Sequence, residues 1–226
     1  ARISPPKHLL VINGSPRGKL GNTPILLQKF IDGFLSLDGT SAEMLHLTQV
    51  KGKVKSVETF RHADAVLLGF PLYTDGMPGI VKEFIDELAP LEGKASNPPL
   101  AFFVQSGFPE AAHSRYVERY LESLAGCLCS PYLGTIVRGG CEGVRLMPEK
   151  MNRSLFGQLA RLGTQLAQDG GFNASDVRAL ASVERYPAFL IPILKLALKL
   201  PFTQMYWDSQ LKKNGVYERR FDRPYA

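Results

Sequence analysis

His8-Leu9-Leu10-Val11-Ile12-Asn13-Gly14-Ser15-Pro16-Arg17-Gly18-Lys19-Leu20-Gly21-Asn22-Thr23 decides the fold. An apolar run of strand length breaks into a loop of Gly, Ser, Arg, Asn and Thr, and helical spacing follows at once through Ile25, Leu26, Phe30 and Phe34. A strand that ends this way aims backbone N–H groups, hydroxyls and the positive end of a helix dipole at one spot, which suits a phosphate. The nucleoside-triphosphate pattern G-x-x-x-x-G-K-[ST] is not met. Gly14 to Gly18 is one residue short, and Leu20 stands where the metal-binding hydroxyl belongs. The dinucleotide pattern G-x-G-x-x-G fails on the spacing of Gly14, Gly18 and Gly21. What remains is Ser15, Asn22 and Thr23 as donors with Arg17 at the rim, the chemistry of a phosphate monoester bound without metal. Thr23-Pro24 also reads as a helix cap followed by the first helical residue, but capping does not account for Ser15 and Arg17.

Outward from this stretch, strand and helix patterns alternate. Ala42–Leu47 reads as a second strand and Val54–His62 as a helix. Ala65–Phe70 is a continuous apolar run, the mark of a central parallel strand covered on both faces. Helix Ile80–Leu88, strand Leu100–Gln105, helix Ala111–Leu124, strand Tyr132–Val137 and helix Lys150–Gln168 follow. Five βα units predict right-handed crossovers and a doubly wound parallel sheet, whose ligands sit beyond the carboxyl ends of the strands. Two more loops leave those ends with unusual chemistry. Pro71-Leu72-Tyr73-Thr74-Asp75-Gly76-Met77-Pro78-Gly79 combines stiff prolines, flexible glycines and flat or polarizable side chains. Ser106-Gly107-Phe108 repeats that grammar more briefly. A phosphate on the first loop and a planar ring against the other two predict flavin mononucleotide (FMN).

These residues carry a family resemblance. Gly14-Ser15-Pro16-Arg17 with Gly21-Asn22-Thr23, followed by Pro71-Leu72-Tyr73 and Met77 to Asp86, resembles the flavodoxin-fold NAD(P)H-dependent FMN reductases over about residues 8–170. The branch that it is most similar to includes iron–sulfur flavoproteins and their cluster-free relatives. The resemblance implies strand order 2-1-3-4-5, with Ser15, Arg17, Asn22 and Thr23 on the FMN phosphate. It puts Pro71, Leu72, Tyr73, Thr74, Asp75, Gly76 and Met77 against the isoalloxazine, and Ser106, Gly107 and Phe108 beside it. It implies NADPH or NADH as donor, and a quinone, a nitro or azo compound or free flavin as acceptor. It also implies a homodimer. Leu47 to Lys53 contains no Cys, so no iron–sulfur cluster is expected.

The flavin supplies the redox chemistry, so no side chain is required as a catalytic nucleophile. His113 is a candidate proton donor, though surface decoration is its more ordinary role. The four histidines lack metal-ligand spacing, so no metal site is expected. An electron carrier of flavodoxin type and a non-catalytic binding module are the alternatives. Carriers of that fold are typically acidic and shorter, whereas this chain carries a net charge of +6 over 226 residues.

That charge is uneven. Residues 175–226 hold nine Lys/Arg against five Asp/Glu, and residues 1–174 hold eighteen against sixteen. A near-neutral main domain argues against a nucleic-acid footprint. Three cysteines form neither a disulfide framework nor a metal signature, and read as small buried thiols of a reducing compartment. No apolar signal segment precedes the first strand, so a cytoplasmic location is expected.

The expected division is a flavodoxin-like domain over 1–170 and a helical extension over 171–226. Tyr186 to Phe202 is the most apolar stretch, with Lys195 and Lys199 one helical turn apart, and is too short and broken to span a bilayer. Packing on its own domain or a dimer mate is expected ahead of lidding the flavin site, and contact with a membrane surface comes last. The basic ending Arg219 to Tyr225 reads as a solvated tail, ahead of a contact to a neighbour's site or to the 2′-phosphate of NADPH.

Overall fold

The computed structural model describes residues 2–49, 53–181, 183–197 and 201–223, without the side chains of 53–56, 201–203 and 206. Leu198, Lys199 and Leu200 of the apolar stretch lie outside the described residues, as do Val50 to Gly52, Pro224 and Tyr225. The chain divides into two compact units, 1–184 and 185–226.

The first unit is built on five parallel strands: β1 (His8–Asn13), β2 (Ser41–His46), β3 (Ala65–Pro71), β4 (Leu100–Gln105) and β5 (Tyr132–Arg138). Their order is β2-β1-β3-β4-β5, as expected. β3 and β4 are buried throughout, which is why they read as unbroken apolar runs, whereas β2 at the edge is nowhere fully buried. The helices are α1 (Asn22–Phe34), α2 (Lys53–Arg61), α3 (Gly79–Glu87), α4 (Arg115–Cys127), α5 (Glu149–Asp169) and α6 (Ala174–Leu180). One face of the sheet buries Leu9, Val11, Leu67 and Phe103 with Phe30 of α1 and Leu159 of α5. The other buries Leu10, Ile12, Leu68 and Phe102 with Phe84 of α3 and Leu121 of α4.

The structure moves three boundaries. The helix expected from Ala111 starts as a 3-10 turn over Ala111–Ser114, and α4 proper begins at Arg115. Thr23 is the second residue of α1 and Gly21 is its N-cap, so the capping reading of Thr23-Pro24 does not hold. The first unit runs past 170 to Glu184, because Leu180 buries fully in the core and the N–H groups of Ala111 and Ala112 donate to the carbonyls of Val183 and Glu184, at 2.9 and 3.1 Å.

The second unit holds α7 (Leu190–Ala197) and α8 (Pro201–Lys213). Among the described residues no helix is long and apolar enough to cross a membrane. Cys141 is buried, and burial pushes its thiol up to about 12. Cys127 and Cys129 are exposed, against expectation. Cys127 closes α4 and Cys129 takes a φ of +52° in the following turn, so both face outward.

Candidate functional site

The loop from β1 into α1 is braced from within. The Asn13 amide nitrogen donates to the Gly18 carbonyl at 3.1 Å and to His46 Nδ1 at 2.8 Å, while its oxygen accepts the Ser15 N–H at 3.1 Å. Gly18 adopts a φ of +54°, which glycine takes without strain, and a Cβ there would lie 2.7 Å from Thr48 Oγ1. Ser15 Oγ accepts the Arg17 N–H at 3.3 Å and still has its own O–H to donate. A Cβ on Gly21 would come within 2.7 Å of Ser15 Oγ, so the missing side chain leaves a cradle between Ser15 and the start of α1. The first-turn N–H groups of α1 have no acceptor within the helix. Buried hydroxyl, open cradle, helix N-terminus and the exposed Arg17 guanidinium together suit a phosphate dianion.

Of the other predicted phosphate contacts, the Asn22 side chain is committed elsewhere. Asn22 donates through its amide to the carbonyls of Cys141 (2.8 Å) and Glu142 (3.1 Å), and its oxygen accepts the Arg145 N–H (3.2 Å). Thr23 is fully buried, and its Oγ1 accepts from Gln105 Nε2 at 3.3 Å. Both hold the loops in register, and Thr23, like Ser15, keeps its own O–H to donate. Asn22 offers an anion its backbone N–H, and Thr23 its backbone N–H and its hydroxyl.

His46 backs this loop. Burial, with the Lys19 charge adding to it, holds its pKa below the ordinary 6.5. An Nδ1 that accepts from Asn13 has no place for a proton, so the folded chain excludes one that the unfolded chain takes up. The stability this contributes is present in full above pH 6.5 and declines as pH falls from there toward the lowered value. Thermal midpoints measured between neutral pH and pH ~5 will fall, and a His46→Asn variant will flatten that fall.

Pro71 and Leu72 of the second loop are buried and support it, while Tyr73, Thr74 and Asp75 are exposed. Tyr73 and Gly76 exchange N–H···O bonds of 2.9 and 3.0 Å, closing a two-residue turn over Thr74 and Asp75. The left-handed angles fall on Thr74 (+48°) and Asp75 (+60°), and Gly76 and Gly79 have none. Positive φ at both central residues is the pattern of a type I′ turn, which disfavours a β-branched residue. Thr74→Gly is expected to stabilise the protein by about 0.5–1 kcal/mol, raising the thermal midpoint by roughly 1–3 °C.

The third loop is tied to the second. Asp75 Oδ1 lies 3.4 Å from His113 Nδ1, His113 Nε2 lies 3.7 Å from Glu110, and the Phe108 ring stacks on the His113 ring at 4.8 Å. Ser106 is buried and donates from Oγ to the Phe108 carbonyl, while Gly107 and Phe108 are exposed. A fourth loop, Gly139 to Arg145, escaped the sequence reading. The Ser106 and Phe108 carbonyls accept the N–H groups of Cys141 and Gly140, each at 2.8 Å. A Cβ on Gly139 would stand 2.6 Å from the Phe108 carbonyl oxygen. The signal was Gly139-Gly140-Cys141-Glu142-Gly143, glycines spaced for close backbone approach. The Arg145 guanidinium returns to the Leu20 carbonyl. The contacts thus close a circuit from loop one through Gln105 to loop two, His113, loop three, loop four and back to Asn22.

The family model for the flavodoxin-like fold matches residues 7–126. No curated protein matches the sequence. Solved structures do match. Azoreductase AzrA is 16% identical with a TM-score of 0.56, over 70% of this chain and 99% of that one. An NADH:FMN oxidoreductase (EMOB, apo form) is 14% identical with a TM-score of 0.55, over 82% and 99%. An FMN-dependent NADH-azoreductase of Bacillus anthracis str. Ames Ancestor, in complex with FMN, is 13% identical with a TM-score of 0.55, over 71% and 100%. At such identities the likeness is one of fold.

Proposed function

The chain belongs to the flavodoxin-like fold family, and from that premise we propose that it is an FMN-dependent oxidoreductase taking a hydride from NADH or NADPH and passing it to a small acceptor, a quinone, a nitro or azo compound or free flavin. The observation that carries this reading is the closed circuit of four loops at the carboxyl edge of the sheet, with the phosphate cradle at one side and exposed aromatics at the other. Bound FMN supplies the redox chemistry, since its ring exchanges two electrons and a proton with donor and acceptor. The residues of the chain bind and orient it. Ser15, Arg17 and the N-terminus of α1 take the phosphate. Asn22, Thr23 and Gln105 keep the loops in register. Tyr73 and Phe108, each about half exposed, offer apolar surface to a planar ring, and His113 holds their two loops together through Asp75 and Phe108. No side-chain nucleophile is required, and the buried Cys141 thiol stays protonated.

The solved structures with this fold include azoreductases, an NADH:FMN oxidoreductase and an NADPH-quinone reductase, which supports the class of reaction. The same reading carries a homodimer as its assembly. Fluorescence titration of the apoprotein tests it. FMN is expected to bind with its fluorescence altered, and riboflavin, lacking the phosphate, much more weakly. Equal affinity for the two would remove the phosphate cradle from the account.

A further inference from the structure

The unit 185–226 carries an exposed apolar surface. None of the eight residues of α7 is buried. Phe189, Ile193 and Leu196 are 72%, 59% and 67% exposed, and Trp207 of α8 is 56% exposed. The sequence of α7, Leu-Ile-Pro-Ile-Leu-Lys-Leu-Ala, is apolar on every side except at Lys195, and such a helix needs a cover. Eight residues rise only about 12 Å, far less than a bilayer core, so the cover is one it lies upon.

Charge selects that cover. Residues 185–226 hold eight Lys/Arg against three Asp/Glu, whereas residues 1–184 hold nineteen against eighteen. A second copy would offer a nearly neutral sheet unit or an equally cationic tail, and neither answers the excess. An anionic bilayer surface answers both the charge and the apolar side chains, and Trp207 is of the kind enriched at lipid–water interfaces. We propose that residues 185–226 dock in the plane of an anionic lipid surface. The apolar side chains of α7 enter the headgroup–acyl boundary, and Lys195, Lys212 and Lys213 meet the headgroups. The inference stands apart from the flavin reading, since lipid docking requires no flavin.

The test is co-sedimentation of the full chain with phosphatidylcholine vesicles, with and without phosphatidylserine. Binding is expected to be at least tenfold tighter with phosphatidylserine, at about fivefold for each basic residue engaged, and to weaken as salt is raised. A Phe189→Asp/Leu196→Asp variant is expected to leave the vesicles without lowering the thermal midpoint, because both side chains are exposed. Lys212→Glu/Lys213→Glu is expected to lose the preference for phosphatidylserine. Failure to sediment with either vesicle would overturn the proposal. So would light scattering showing that the Phe189/Leu196 variant turns a dimer into a monomer, which would give this face to a second copy.

Discussion

Replacing Ser15 and Arg17 together by alanine is expected to weaken FMN binding by about 10²–10⁴-fold, at about 1.5–3 kcal/mol for each hydrogen bond lost to a charged group. Riboflavin binding should hardly change, because the proposed contacts of both residues are to the phosphate. Arg17 is exposed and Ser15 contributes a hydroxyl, not apolar packing, so the fold should survive. Gly21→Ala offers an independent route to the same result. The φ of Gly21 is −81°, which alanine adopts without strain, yet its Cβ would meet Ser15 Oγ at 2.7 Å and fill the cradle. That variant should also lose FMN more than riboflavin. If both variants bound FMN as tightly as the parent, the phosphate would have to lie elsewhere.

The second large effect is on stability, where α1 crosses α5. A Cβ on Gly163 would lie 2.0 Å from the Phe30 carbonyl oxygen and 2.7 Å from the Phe34 nitrogen, and one on Gly33 would lie 1.8 Å from the Ala160 carbonyl oxygen. The obstacles are backbone atoms, which cannot swing away as a side-chain tip does. Thr164 seals the crossing by donating from Oγ1 to the Gly33 carbonyl at 2.9 Å. Gly163→Ala is therefore expected to cost about 3 kcal/mol or more, lowering the thermal midpoint by roughly 6–12 °C. Gly157→Ala in the same helix is the control. Nothing lies within 4 Å of its Cβ, so helix propensity dominates and the change should stabilise by about 0.8–1 kcal/mol. Opposite signs from one helix would place the effect at the crossing.

The sheet was legible because burial on both faces leaves a plain mark. Ala65–Phe70 and Leu100–Gln105 are continuous apolar runs, and both are central strands. The β1–α1 loop was legible because Gly, Ser and Arg in that order have few other uses. The partners of its side chains were not. The Asn22 amide is consumed by a loop about 120 residues away, and no local pattern announces a contact at that separation. Gly76 and Gly79 read as the flexible points of the second loop, but its positive φ angles fall on Thr74 and Asp75, inside the turn that the Tyr73–Gly76 hydrogen bonds close. Residues 171–184 read as part of the extension, yet they join the first unit through buried Leu180, through Phe172 and Val177 packed against the core, and through two backbone hydrogen bonds. His113 looked like surface decoration, and the structure makes it the link between two loops.

The proposed activity is tested most directly by the visible flavin absorbance of the FMN-loaded protein, followed without oxygen as NADH and then NADPH is added. The account predicts that the band bleaches within the mixing time with at least one of the two donors and returns when a quinone is supplied. A band that persists with both and bleaches only with dithionite would contradict it and leave an electron carrier. Failure to hold FMN at all would contradict the cradle itself.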